Sequence, residues 1–143
     1  MFPGIAVDNA SLYLDRARVV TNLGGGISLD SGAYALVRNS FVGGNGSAFQ
    51  PTTGVRVTDS MLDVLYASIV ANDGNTQDSL VCSNATVSIR NSLVFGTGDD
   101  SVACAGLVAM HSAADSNAGG LADVGPLSPM WFQSLPANLT PTA

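Results

Sequence analysis

The residues of this chain equipped for metal, redox or acid–base chemistry are two cysteines, eleven aspartates and one histidine. Cys82 and Cys104 lie 22 residues apart, and two thiols with the one distant His111 cannot complete a tetrahedral zinc site. The thiols are left with two roles, a disulfide staple of a secreted protein or a pair of small buried side chains. The same interval of 22 residues separates Asp78 from Asp100, with Asp99 beside it and Asp73 nearby. Stacked carboxylates repel one another unless a cation lies between them, which makes Asp78, Asp99 and Asp100 candidate ligands of Ca²⁺, the sole cofactor the sequence suggests. As solvated turn residues they need no metal. His111 has no Ser or Cys nucleophile placed beside it by any motif, so no catalytic triad is expected and no catalytic residue is assigned.

Charge and composition set the frame around these groups. All eleven acids are Asp and all five basic residues are Arg, so the charged residues that favour helices are missing. Asp favours turns, and 16 glycines point the same way. A net charge of −6 argues against nucleic acid as a partner, because such binding rests on clustered cations. With 46% apolar residues over 143 positions and a mean hydropathy of +0.30, one domain with its own core is expected. No apolar run is long enough to span a membrane, and "MFPGIAV" lacks the basic start of a signal peptide. The sequons at Asn9, Asn45, Asn84 and Asn138 occur at near-chance frequency, and "LGGGI" is no dinucleotide fingerprint because no helix follows it.

The elements that must position these side chains come from a repeat. "GIAV", "GISL" and "GVRV" start at Gly4, Gly26 and Gly54, and "SLVC" and "SVAC" at Ser79 and Ser101, with spacings of 22, 28, 25 and 22 residues. A second phrase follows the first four: "LDRARV" (14–19), "VRNSFV" (37–42), "LYASIV" (65–70) and "IRNSLV" (89–94). Alternation over so few residues predicts short strands, and a strand-only unit of this length buries its apolar face only by stacking on its neighbours. A coil in which each unit makes one turn sets like strands parallel and about 4.8 Å apart, and it favours identical residues at identical positions. The expected interior columns are Ile5, Ile27, Val55, Leu80, Val102, then Val7, Leu29, Val57, Cys82, Cys104, then Leu14, Val37, Leu65, Ile89, then Val19, Val42, Val70, Val94. Gly24, Gly25 and Gly26 are expected to turn one corner, and Asn39 and Asn91, which tolerate the left-handed region, the next.

The phrases "GGGISL", "LVRNSFVGGN" and "VSIRNSLVFGTG" resemble the degenerate repeats of right-handed parallel β-helix proteins of the pectin-lyase-like superfamily, in which Asn-Ser lies at a tight corner between strands. The resemblance covers roughly residues 4–111 and implies an all-β solenoid of about five coils over residues 1–111, with residues 112–143 a non-repeating tail that caps the helix. The fold hosts lyases, hydrolases, adhesins and passenger domains alike. Polysaccharide lyases of this superfamily hold Ca²⁺ with Asp clusters beside a basic residue, but this chain has no Lys and the expected coil keeps Arg38 and Arg90 away from Asp78 and Asp100.

In the coil, Cys82 and Cys104 come within disulfide range. Asp15, Arg38, Tyr66 and Arg90 share an outward column, in which Asp15 and Arg38 can pair and Tyr66 offers a stacking face. Arg18, Phe41, Ile69 and Leu93 form a second outward column, an apolar patch that a partner or the tail with Trp131 and Phe132 would cover. The function expected is a non-catalytic β-helix module of an extracellular or cell-surface protein, a rigid rod for display or for contact with polysaccharide or another protein. The alternative is a polysaccharide lyase or glycoside hydrolase with an incomplete active site. An uncovered first coil suggests a fragment of a longer β-helix, or end-to-end or lateral assembly of copies.

Overall fold

The computed structural model describes residues 2–46, 53–70, 72, 79–96, 102–114, 121–123, 132–134 and 138–141. Each alternating phrase forms a strand, and three strands make a coil. The Ile5 coil holds β1 (Ile5–Asp8), β2 (Ser11–Asp15) and β3 (Arg18–Val20), and the Ile27 coil β4 (Ile27–Asp30), β5 (Tyr34–Arg38) and β6 (Phe41–Gly43). The Val55 coil holds β7 (Val55–Thr58), β8 (Met61–Leu65) and β9 (Ser68–Val70), and the Leu80 coil β10 (Leu80–Ser83), β11 (Thr86–Arg90) and β12 (Leu93–Phe95). The Val102 coil holds β13 (Val102–Ala103), β14 (Leu107–Met110) and β15 (Ala113–Ala114), after which β16 (Ala122–Asp123) adds one more strand.

Like strands pair in parallel. Sheet A runs β1-β4-β7-β10-β13, sheet B runs β2-β5-β8-β11-β14, and sheet C runs β3-β6-β9-β12-β15-β16. The chain is therefore an all-β solenoid of stacked parallel sheets, with no helix among the described residues. Nor is any helix there long and apolar enough to cross a membrane. Beyond the sheets, β17 (Phe132–Ser134) and β18 (Asn138–Pro141) pair antiparallel.

The first interior column forms as expected: Ile5, Ile27, Val55, Leu80 and Val102 are direct neighbours in sheet A. Val7, Leu29, Val57 and Cys82 form the next. Two columns differ from expectation in the Val55 coil, by one residue. Val37 and Ile89 pair with Val64 rather than Leu65, and Val42 and Val94 pair with Ile69 rather than Val70. The repeating phrase of this coil is "VLYASI" (64–69), not "LYASIV", and because both frames start and end on apolar residues, alternation alone does not separate them. Burial does. Val64 is 2% exposed and joins the core, whereas Leu65 is half-buried on the outer face. Val70 is buried too, but with Phe95 in a separate cluster against Phe41 and Leu93.

A buried polar ladder closes the corner between sheet C and the next coil. Asn45, with no exposed surface, accepts from Asn22 N (3.1 Å) and Asn22 Nδ2 (2.9 Å) and donates through Nδ2 to Val19 O and Asn72 Oδ1 (both 2.9 Å). Asn72 Oδ1 also accepts from Asn45 N at 3.2 Å. A Cβ added to Gly4 or Gly54 would run into Asn22 or Asn72 respectively, so these two glycines make room for a rung, whereas one added to Gly26 would meet Gly54 O first. Of the triplet 24–26, Gly25 alone takes a positive φ, +103°, and Gly24 and Gly26 serve close backbone approach instead.

Candidate functional site: a groove along the corner between sheets B and C

The corner after sheet B is built by one residue per coil in the left-handed region: Arg16, Asn39, Tyr66, Asn91 and His111, with φ between 48° and 54°. Only Asn is suited to that backbone, since a Cβ there crowds the carbonyl at a cost of about 1–2 kcal/mol. The coil geometry imposes it on Arg, Tyr and His as well. The following residue supports the corner from inside. Ser40 Oγ accepts from Ala17 N (3.0 Å), Ser92 Oγ from Ala67 N (3.1 Å) and Ser112 Oγ from Ser92 N (3.2 Å). Each of these hydroxyls donates back two residues, to Arg38 O, Arg90 O and Met110 O. The serine ladder satisfies buried backbone groups that a corner otherwise orphans.

Outside this corner lies an open groove of about 710 Å³, lined by Tyr66, Ala67, Ser68, Asn91, Ser92, Leu93, His111, Ser112 and Ala113. A phenol, an amide and an imidazole therefore follow one another up one wall, one per coil. Tyr66 stands 59% exposed. The expected column of Asp15, Arg38, Tyr66 and Arg90 is corrected here: Leu65 takes the sheet position between Arg38 and Arg90, and Tyr66 moves into the corner with Asn39 and Asn91. The cause is the one-residue frame of the Val55 coil.

The outer face of sheet B continues the surface away from the groove. Asp15 Oδ2 accepts from Arg38 Nη2 at 3.0 Å, and its other oxygen accepts from Asn39 Nδ2 at 3.0 Å. Arg16 Nε lies 3.6 Å from the same carboxylate. The hydrogen bonds from Arg38 and Asn39 hold the Asp15 carboxyl below its ordinary 3.8. Tyr34 OH donates to Asp63 Oδ2 at 3.0 Å, and its ring meets that of Tyr13 edge to face with centroids 6.2 Å apart. Burial, followed by the bond to Asp63, pushes the Tyr34 phenol above its ordinary 10.0. Arg90 Nε reaches Ser88 Oγ at 3.4 Å, and among the described residues it has no carboxylate partner.

The expected apolar patch on sheet C is also corrected. Its outward column is Arg18, Phe41, Ser68, Leu93 and Ala113, because Ile69 points inward at 1% exposure. Phe41 and Leu93 are half-buried against Val70 and Phe95, and Arg18 stacks 5.8 Å from the Phe41 ring centroid.

Cys82 and Cys104 are joined by a disulfide, with α-carbons 4.6 Å apart. Asp78, Asp99 and Asp100 lie outside the described residues, as do Asp73 and Trp131. Among the described residues no three His, Cys, Asp or Glu side chains converge as metal ligands would.

The groove and the asparagine ladder both went unread in the sequence. Asn22, Asn45 and Asn72 each follow an inward residue (Val19, Val42, Ile69) by three positions, a signal that emerges only in the correct frame of the Val55 coil. The fifth member of the corner phrase, "AMHSAA" (109–114), escaped because its inward residues are Ala109 and Ala114 rather than large aliphatics. Compared with protein-family models, curated proteins and solved structures, the chain returns no match.

Proposed function

We propose that this chain is a non-catalytic β-solenoid module of an extracellular or cell-surface protein, allied to the pectin-lyase-like superfamily, that binds a glycan along the groove of Tyr66, Asn91 and His111. The groove itself carries the reading. Its wall repeats a side chain once per coil, at the roughly 4.8 Å spacing of parallel strands. That arrangement suits a chain ligand lying along the axis. Tyr66 supplies an exposed ring for the C–H face of a sugar, and the Asn91 amide, the His111 imidazole and the Ser68 hydroxyl supply donors and acceptors for its hydroxyls. The disulfide supports an oxidising compartment.

The Asp15 carboxylate of the neighbouring face favours binding over hydrolysis. A general acid keeps its proton near neutrality, whereas the hydrogen bonds from Arg38 and Asn39 hold the Asp15 carboxyl below its ordinary value. A glycan-array screen with and without calcium, paired with an activity assay on pectic and alginate-like polymers, tests the reading. Retention of at least one glycan, weakened tenfold or more by Tyr66→Ala and by Asn91→Ala with the polymers left intact, is the expected outcome. Cleavage of a polymer would replace this reading with the lyase or hydrolase alternative. Retention indifferent to both substitutions would move the site elsewhere.

A further inference from the structure

We propose that the Cys82–Cys104 disulfide is a redox latch on the last wall of the corner groove. This regulation rests on the binding reading above, but its mechanics stand on three separate observations. The first is position: the bond ties the Leu80 coil to the Val102 coil, which brings His111, Ser112 and Ala113 to the groove.

The second is that two of the three strands of the Val102 coil are held by short pairings, while β14 keeps four pairs with β11 against the five between β11 and β8. β13 pairs with β10 over two residues and β15 with β12 over two, whereas β10 pairs with β7 over four and β12 with β9 over three. Its inward residues shrink as well, with Ala109 and Ala114 where the Leu80 coil has Ile89 and Val94. Val102 and Leu107 keep 6% and 7% exposure against 0% for Leu80 and Val87. Less apolar surface is removed from water there, so the covalent tie carries a larger share of the docking.

The third is access. A cleft of about 290 Å³ is lined by Cys82 with Asn84, Ala85, Thr86, Ala105 and Gly106, and Cys82 is half-buried rather than sealed, so a small dithiol entering the cleft comes up against that residue. Its thiolate attacks Cys82 Sγ, the S–S bond breaks, and Cys104 leaves as a thiolate that takes up a proton. The second thiol of the reductant then attacks the mixed disulfide and frees Cys82, which is protonated in turn. Two electrons pass to the protein and the dithiol becomes a disulfide. With the tie gone, the Val102 coil opens and the groove keeps Tyr66 and Asn91 but loses His111.

The test is hydrogen exchange on the full chain, oxidised and then treated with dithiothreitol without denaturant, with iodoacetamide labelling to count the thiols released. The latch predicts two labelled cysteines, exchange at least tenfold faster across residues 107–114, and unchanged exchange in β4, β5, β7 and β8. A Cys82→Ala/Cys104→Ala variant should match the reduced protein without any reductant. No labelling, or labelling with exchange across 107–114 unaltered, overturns the proposal. Acceleration spread through β4–β8 overturns it too, since the bond would then be a staple of the whole fold. The glycan array run on both forms separates the two readings: faster exchange across 107–114 supports the latch even if neither form retains a glycan, and that second result counts against the binding site alone.

Discussion

Asn45 and Asn39 share a side chain and little else. Asn45 is sealed in a column of amides, where its removal orphans the buried Val19 O, takes a partner from the part-buried Asn22 N and leaves Asn72 Oδ1 with only the backbone N–H of residue 45. Each orphaned group costs about 1–3 kcal/mol, so Asn45→Ala should destabilise by about 2–4 kcal/mol in urea titrations. Asn39 is exposed, its positive φ is one that Gly meets as readily, and the bond it would give up to Asp15 is solvent-exposed. Asn39→Gly should therefore shift stability by less than about 1 kcal/mol. Asp15 gives a pH prediction with a definite sign. Its folded pKa is depressed, so its contribution is complete above the ordinary 3.8 and disappears as pH falls through the lower folded value. NMR titration should find the carboxyl below 3.8, and Arg38→Ala should raise it towards that value, while Asp15→Asn flattens this part of the acid limb. A folded Asp15 titrating at or above 3.8 would contradict the pairing.

At the scale of the elements, register decides what each residue does. Gly54 stands where a Cβ would meet the Asn72 side chain and come within 2.8 Å of Ser79 O. Gly54→Ala should therefore cost about 1–3 kcal/mol in chemical denaturation, because filling a packed site forces backbone shifts. Tyr66 tests the opposite case. It occupies a left-handed corner that Asn fills in two other coils, so Tyr66→Asn should raise stability by about 0.5–1 kcal/mol in the same assay while removing the exposed ring from the groove. The sheet A column from Ile5 to Val102 was legible in the sequence because a small residue, Gly or Ser, opens each strand and fixes its frame. The middle of the Val55 coil was not, since Leu65 and Val70 satisfy the apolar pattern as well as Val64 and Ile69. The corner groove was hidden for a different reason. Its shape comes from a backbone conformation that Arg16, Tyr66 and His111 do not announce, and that only neighbouring coils enforce.

For the whole molecule, stability is a chain of coil-to-coil contacts, and such arrays melt from their weakest link. Closing a loop of 22 residues, the disulfide constrains the unfolded chain by about 3 kcal/mol. The Cys82→Ala/Cys104→Ala variant should accordingly lose about 3 kcal/mol from the docking of the Val102 coil alone, so that exchange there is released at lower denaturant while β5 and β8 keep theirs. Coincident release of all sheets would instead describe a single cooperative block. The corners have a further consequence for how such a protein can change. Four side-chain types already occupy one repeated backbone site whose inner supports are the serine ladder and the strands on either side. What faces solvent there can be exchanged coil by coil while the scaffold is left alone, so new specificities are open to it by substitution at positions 16, 39, 66, 91 and 111, much as type is reset in a fixed frame.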